Sequence, residues 1–251
     1  MRYFIELSYL GKNYHGWQIQ PDVVSVQEIV NNTLSKLLNK SILTVSAGRT
    51  DAGVHAKQMF VHIDSPKELL LKDTVYKLNA ILPNDIVIHK IFKVKEDAHT
   101  RFDATSRSYE YKIYLGRNPF LLDTTWQIFQ QKLDVLKMNK AAKILLNYTN
   151  YQCFSKSKTD VKTYHCSIKN AVWKQNGEIL TFYITADRFL RNMVRAIVGT
   201  LVDIGKEKKS IDDFIRIIES KDRCRAGTSA PAQGLSLTAV DYPNTIKYAG
   251  K

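Results

Sequence analysis

Cysteine is scarce in this sequence, and no long uncharged hydrophobic run occurs in it. The 251 residues include three cysteines, Cys153, Cys166 and Cys224, and no two of them have the spacing of metal ligands. An odd number of widely separated cysteines does not predict a disulfide framework, so we expect a protein of the reducing cytoplasm. Glu6 interrupts the only apolar stretch near the N-terminus, so we expect no secretory signal. Because no apolar run approaches the roughly 18 residues of a membrane helix, we expect no contact with a membrane.

Two common signatures of cofactor binding are also absent. The six histidines are scattered, and neither an HExxH nor a CxxC pattern is present to hold zinc. The one glycine-flanked polar loop lacks the Gly-Lys-Ser/Thr ending of a phosphate-binding loop. The sequence therefore predicts neither a metal site nor a nucleotide cofactor.

Positive charge, in contrast, is abundant and unevenly distributed. Lys and Arg total 37 against 24 Asp and Glu, which gives a net charge of +13. Residues 1–100 carry 12 basic and 10 acidic residues, whereas residues 101–251 carry 25 and 14. Such a surface predicts an anionic partner, most often nucleic acid. The alternative that the excess of lysine only aids solubility stays open. The composition, with 44% hydrophobic and 24% charged residues, is that of a folded globular protein.

Hydrophobic periodicity predicts two successive β-α-β-β-α-β segments, with an extra helix in the second. Ser25 and Glu28 form a capping box before one helix, Asp73 is a second cap, and Asn176-Gly177 predicts a β-hairpin turn. The expected strands cover residues 2–10, 42–47, 58–64, 86–94, 105–115, 163–174, 178–185 and 234–242. The expected helices begin after Ser25 and Ser65, cover about 135–146 and 189–204, and begin again at Ser210.

This order predicts an α+β fold of two tandem ferredoxin-like (split βαβ) domains with antiparallel sheets. We expect an N-terminal domain over residues 1–100 and a C-terminal domain over residues 101–251. The joint between them is short and holds neither Gly nor Pro, so we expect rigid coupling. A cleft between the two domains is the expected catalytic site.

The polar loop at residues 47–56, AGRTDAGVHA, carries the densest group of ionisable side chains. Arg49, Asp51 and His55 stand within seven residues, and two glycines permit a tight backbone path. From composition alone, a plain hairpin connection with a surface ion pair explains the loop as well as a catalytic site does.

A second candidate feature is the expected helix over about 189–204. At 100° per residue, one face carries Arg188, Arg191, Asn192, Arg195 and Gly199, and the opposite face is apolar. Three arginines with no lysine favour recognition of a carboxylate or phosphate over a merely solvated face.

The sequence resembles the tRNA pseudouridine synthase A (TruA) family over essentially its whole length. The loop GRTDAGVHA at residues 48–56 matches the family signature nearly letter for letter. One departure is visible after it, where Gln58-Met59 stands in place of the Gly-Gln that the family often has. Further matches, in order, are YHGWQ at 14–18, SVQE at 25–28, NAILPNDI at 79–86, RFDAT at 101–105, RSYEY at 107–111, FLRNMVR at 189–195 and GLSL at 234–237.

The resemblance implies isomerisation of uridine to pseudouridine at positions 38, 39 and 40 in the anticodon stem-loop of tRNA. It implies tRNA as the partner, a homodimer that binds it, and no cofactor, because the reaction exchanges no electrons and loses no group.

The resemblance also implies roles for individual residues. Asp51 corresponds to the catalytic aspartate, a carboxylate able to attack and later leave. Arg195 corresponds to its partner; a neighbouring guanidinium favours the ionised carboxylate that burial alone would oppose. Tyr109 corresponds to an active-site tyrosine that stacks on uracil, and Arg49 is placed to displace the target uridine from its stem. The supporting residues of the loop are Gly48, Thr50, Gly53 and His55; for His55 we favour a structural hydrogen bond over a catalytic role.

Three other functions are weighed against this one. A non-catalytic RNA-binding protein with tandem ferredoxin-like domains would share the fold and charge, but it would carry RNP-type aromatic motifs, and none is found. A metal-dependent nuclease would need a carboxylate cluster, whereas Asp51 stands alone in its loop. A related synthase with other target uridines would share the same catalytic residues. Whether Asp51 attacks C6 of uracil or C1′ of ribose stays open.

Overall fold

A computed structural model describes residues 1–157 and 161–246. The chain forms two compact units. The first unit holds Met1–Ser106 together with the chain from Leu237 onward, and the second holds Arg107–Ser236. The division expected at residue 100 assigned the end of the chain to the second domain. In the structure this end joins the first unit, where the Thr105 N–H donates to Asp241 O at 2.8 Å and the Tyr242 hydroxyl donates to Thr100 O at 2.6 Å.

The first unit follows the expected β-α-β-β-α-β order. Strand β1 (Arg2–Tyr9) pairs antiparallel with a strand on each side, so that Ile5 lies opposite Val61 of β3 (His55–Asp64) and opposite Ile91 of β4 (Ile86–Val94). The alternating residues Tyr3, Ile5, Leu7 and Tyr9 are all buried, as the alternation predicted. The elements are β1 (Arg2–Tyr9), α1 (Val26–Leu38), β2 (Val45–Ser46), β3 (His55–Asp64), α2 (Leu71–Ile81) and β4 (Ile86–Val94).

Strand β2 is much shorter than the expected strand over 42–47. The Ile42 N–H donates to Ser35 Oγ at 2.8 Å and the Thr44 N–H donates to Asn31 Oδ1 at 3.0 Å. Because side chains of α1 take these two amides, the strand is reduced to Val45 and Ser46, and the Ala47 N–H adds one bond to Phe60 O of β3 at 2.9 Å.

The start of α2 also differs from the prediction. Ser65 Oγ bonds to the backbone of Lys67 and closes a local turn, and the helix begins only at Leu71. Asp73 lies inside the first turn and pairs with Lys77 at 2.7 Å, so it is not a cap. At α1, Ser25 Oγ accepts from the Glu28 N–H at 3.3 Å, which is one half of the expected capping box.

The second unit contains an antiparallel sheet in which β8 (Ile179–Ala186) lies between β5 (Ser106–Tyr114) and β7 (Ile168–Asn176). The hairpin at Asn176-Gly177 forms as predicted, and Ser210 and Asp213 form a complete capping box. A short strand, β6, was not predicted and lies parallel to β5. The elements are β5 (Ser106–Tyr114), β6 (Trp126–Gln127), α3 (Val135–Ile144), β7 (Ile168–Asn176), β8 (Ile179–Ala186), α4 (Met193–Gly205) and α5 (Ile211–Ser220). The last strand, β9 (Leu235–Asp241), begins in this unit and continues in the first unit from Leu237.

Helix α4 begins four residues later than the expected start at 189. Asn192 has a left-handed backbone with φ of 66°, which turns the chain just before the first helical residue. Arg188 and Arg191 therefore precede the helix, and only Arg195 and Gly199 of the expected face lie on it. The fold is a mixed α+β fold with mostly antiparallel strands.

Candidate active site

The loop between β2 and β3, residues 48–54, is here called the aspartate loop. Its backbone is fixed by the segment that follows β1: the Trp17 N–H donates to Thr50 O at 3.2 Å, and the Gly53 N–H donates to Tyr14 O at 3.3 Å. Within the loop, the Val54 N–H donates to Asp51 O at 3.1 Å. Asp51 is therefore presented by a loop that is bonded on both sides of it.

Gly16 allows this close approach of the two segments. Its φ of 91° lies in the left-handed region that side chains rarely adopt. A Cβ on Gly16 would lie 2.5 Å from Thr50 O, which is too close for any real side chain. A glycine is thus required at this point of the scaffold.

Exposure alternates along the aspartate loop. Thr50 is buried, and its Oγ1 is 2.8 Å from the hydroxyl of Tyr9. Asp51 is half-buried, and Arg49 is exposed. Among the residues that the structure describes, Arg49 has no hydrogen bond or ion pair, so its guanidinium is open to an external partner.

His55 is the first residue of β3 and lies in the core. Its ring is buried, and its Nδ1 accepts a hydrogen bond from the Gly11 N–H at 2.8 Å. An accepting Nδ1 requires the neutral ring with its proton on Nε2. This contact links β3 to the segment that scaffolds the aspartate loop.

Sequence reasoning missed one anchor of this scaffold. The hydroxyl of Tyr14 donates to Asp85 Oδ1 at 2.6 Å, and Asn13 Nδ2 donates to Asp85 Oδ2 at 3.0 Å. Burial raises the pKa of Tyr14, and the bond to Asp85 raises it further, so the phenol stays protonated. Tyr14 and Asp85 both belong to matched motifs, but 71 positions separate them, so no local sequence pattern indicates that they are in contact.

The second unit contains the other two expected site residues. Tyr109 lies on β5 opposite Ile184 of β8, is half-buried, and makes an edge-on contact with the ring of Phe189 at 5.1 Å. Arg195 lies in the first turn of α4 and is half-buried. Its Nε donates to Ala230 O at 2.7 Å, which fixes the direction of the guanidinium.

The structure thus brings together Arg49, Thr50, Asp51 and Gly53 on one anchored loop of the first unit, with His55 directly after it. Arg188 and Arg191 do not share a helical face with Arg195, contrary to the expectation. In the described ranges 1–157 and 161–246, no group of three His, Cys, Asp or Glu side chains could hold a metal ion. Within the same ranges, no helix is long and apolar enough to cross a membrane.

Comparison with known proteins identifies close relatives. A family model described as tRNA pseudouridine synthase matches residues 141–243. The chain is 51% identical over 247 residues to a tRNA pseudouridine synthase A of Bacteroides fragilis, with 98% of both chains covered. It is 48% identical to the protein of that name from Parabacteroides distasonis, covering 98% of this chain and 97% of the relative. For the one from Bacillus licheniformis the identity is 37%, covering 97% and 100%.

Proposed function

The chain belongs to the tRNA pseudouridine synthase A family, and on that premise we propose how it isomerises uridine to pseudouridine in tRNA. The reaction breaks the N1–C1′ glycosidic bond, turns the uracil and joins its C5 to C1′. A proton leaves C5 and a proton is gained at N1, so the product has the composition of the substrate. No electrons are exchanged and no group is lost overall, because the detached uracil rejoins the same ribose, so the chemistry requires no cofactor.

Asp51 is the proposed nucleophile. The observation that carries this assignment is the aspartate loop, in which backbone bonds to Tyr14 and Trp17 hold a half-buried carboxylate. A carboxylate in a fixed position can attack the substrate and later leave, which divides a difficult step into two easier ones. Either C6 of uracil or C1′ of ribose is a chemically competent target.

Arg195 and Tyr109 are the proposed partners in the second unit. A guanidinium favours the ionised form of a carboxylate beside it, and its planar fork also fixes the direction of that carboxylate. The Tyr109 ring offers a face for uracil to stack on, and its hydroxyl is suited to remove the C5 proton.

Arg49 is proposed to help displace the target uridine. A uridine inside a stem must leave its stack before it can react, at a cost of a few kcal/mol. Arg49 is exposed and lies two residues before Asp51, with the buried Thr50 between them. From there its guanidinium can fill the vacated space or hold the flanking phosphate while Asp51 reacts. Gly48, Thr50, Gly53 and His55 support the loop.

The choice of target uridines is a more specific proposal than family membership. We propose uridines 38, 39 and 40 of the anticodon stem-loop as targets, and a cytoplasmic homodimer as the working form. We also propose that each of the two units is a ferredoxin-like domain, the first of which carries the aspartate loop. The charge of +11 on residues 101–251 supports a role of that part in binding the phosphates of tRNA.

The test of the nucleophile is the Asp51→Asn variant in an isomerisation assay on tRNA. We expect loss of turnover with tRNA affinity within about twofold of wild type, because phosphate contacts supply most of the affinity. Asp22→Asn is the matched control: Asp22 is exposed with φ of 61°, a conformation that Asn also adopts readily, so activity should be unchanged. Turnover of Asp51→Asn within a few fold of wild type would rule the assignment out.

A further inference from the structure

A segment of the second unit, Gly227–Pro231, lies across the first turns of α4 and is here called the clamp segment. A Cβ added to Gly199 of α4 would lie 1.8 Å from Thr228 O, so only glycine permits this approach. The Gly227 N–H donates to the buried Thr200 Oγ1 at 2.9 Å. The clamp segment is therefore held directly against the helix that carries Arg195.

Ala230 of the clamp segment forms two hydrogen bonds with Arg195. The Arg195 Nε donates to Ala230 O at 2.7 Å, and the Ala230 N–H donates to Arg195 O at 2.9 Å. Both the side chain and the backbone of Arg195 are thus bonded to the same buried residue. The direction of the guanidinium depends on where Ala230 lies.

Arg223 and Asn192 fix the clamp segment from one side. Arg223 donates through Nη1 to Gly227 O at 3.0 Å and through Nη2 to Ser229 Oγ at 2.9 Å. Asn192 Nδ2 donates to the same Ser229 Oγ at 2.6 Å. Within the part of the chain that the structure describes, Arg223 has no carboxylate at ion-pair distance. Its planar fork therefore serves to bridge two acceptors of the clamp segment.

Tyr111 fixes the clamp segment at its other end. Its hydroxyl donates to Pro231 O at 2.8 Å from a fully buried ring on β5, two residues after Tyr109. Burial raises the pKa of Tyr111 and outweighs the opposing charge of Arg195, so the phenol stays protonated and can donate this bond. The clamp segment thus connects the strand of Tyr109 with the helix of Arg195.

We propose that the clamp segment sets the direction of the Arg195 guanidinium, and that Arg223, Ser229 and Tyr111 are positioning residues for the isomerisation. The inference rests on the proposed function, in which Arg195 assists Asp51. A catalytic cation is useful only if it is held in the productive geometry, and a displacement of about 1 Å can cost roughly 100-fold in rate. The bonds of the clamp segment supply that restraint.

The test measures kcat and KM for tRNA with Ser229→Ala and Arg223→Lys in the full-length chain. Ser229→Ala removes the acceptor shared by Arg223 and Asn192 and should lower kcat about 10- to 100-fold with KM within about twofold. Arg223→Lys keeps the charge but cannot bridge both acceptors, so it should lower kcat by a smaller factor. Arg225→Lys is the control: Arg225 is exposed in the same turn, and neither constant should change.

Repeating Ser229→Ala in an Arg195→Lys background separates positioning from a general structural role. If the clamp segment acts through Arg195, the second substitution should cost less than about twofold once Arg195 is replaced. The same loss in both backgrounds would overturn the proposal, as would a Ser229→Ala enzyme with the kcat of wild type. If Arg195→Lys itself retains full kcat, the assigned role of Arg195 fails and the clamp fails with it, while Asp51→Asn still decides the nucleophile.

A crystal structure of Ser229→Ala answers the question without an activity assay. We expect Ala230 O to move beyond hydrogen-bond reach of Arg195 Nε, above about 3.5 Å. An unchanged contact would contradict the proposal.

Discussion

The buried ring of His62 ties the stability of the first unit to pH. Its Nδ1 lies 2.9 Å from Thr100 Oγ1 and 3.3 Å from the Thr100 backbone nitrogen, and the Thr100 hydroxyl donates its own proton to Val45 O at 2.7 Å. Because burial removes the ring from water and disfavours its charged form, protonation of His62 costs free energy in the folded state.

At the residue scale, His62 yields a prediction about pH. Burial lowers the pKa of His62 to about 4, and the charges of Arg2 and His99 act in the same direction, while Asp64 and Asp103 oppose them. An unfolded histidine has a pKa of about 6.5, so between these values the unfolded state binds more protons. The free energy of unfolding should therefore fall as pH drops from about 6.5 to 4, by up to about 3 kcal/mol from this group.

Urea unfolding at pH 7.5 and at pH 5 measures this dependence in wild type and in His62→Gln. The variant should be less stable at pH 7.5 but should lose less on acidification. An equal loss in both proteins would show that His62 does not account for the effect.

At the scale of elements, local patterns predicted those features whose determinants lie within a few residues. The hairpin at Asn176-Gly177 and the helix start at Ser210 are of this kind, and both were correct. The predicted start of α4 at residue 189 was wrong. The chain turns at Asn192, just before the helix, and the side chain of Asn192 is bonded to Ser229, which lies 37 positions away. Strand β2 was overestimated because side chains of α1 take its amides.

In the candidate site, too, features formed by neighbouring residues could be predicted, and contacts between residues distant in sequence could not. The aspartate loop is contiguous, so its glycines and charged residues could be read from the sequence. The anchors that hold the site could not, because Tyr14 meets Asp85 across 71 positions and Arg195 meets Ala230 across 35. Periodicity gives the face of a helix but not the segment that packs on that face.

Gly199 carries a prediction at the scale of α4. Alanine is normally favoured over glycine in a helix by up to about 1 kcal/mol. Here its methyl group would lie 1.8 Å from Thr228 O, a backbone atom that can move only with the clamp segment. Gly199→Ala should thus lower the free energy of unfolding by about 1–3 kcal/mol and also lower kcat.

Gly205→Ala, at the other end of α4, is the matched control. The nearest atom to its new methyl group is the sulfur of Met138, at 2.5 Å, on a flexible side chain that can rotate away. We expect a smaller loss of stability and an unchanged kcat. Chemical denaturation and steady-state assays measure both effects. Equal kcat for Gly199→Ala and wild type would contradict the proposed role of the clamp segment packed against Gly199.

At the scale of the whole molecule, the net charge predicts how the affinity for tRNA depends on salt concentration. The net charge is +13, most of it on residues 101–251. If this charge contacts tRNA phosphates, binding releases counterions and the affinity falls steeply between about 50 and 200 mM salt. A series of filter-binding measurements gives the slope. An affinity that stays flat over this range would mean that the excess charge serves solubility alone.

The most direct test of the central claim is a map of pseudouridine in tRNA from cells that lack this chain. We expect pseudouridine to be lost at positions 38, 39 and 40, restored by the wild-type chain, and not restored by Asp51→Asn expressed at the same level. Restoration by Asp51→Asn would contradict the proposed nucleophile. Loss at other positions, with 38–40 unchanged, would contradict the proposed substrate.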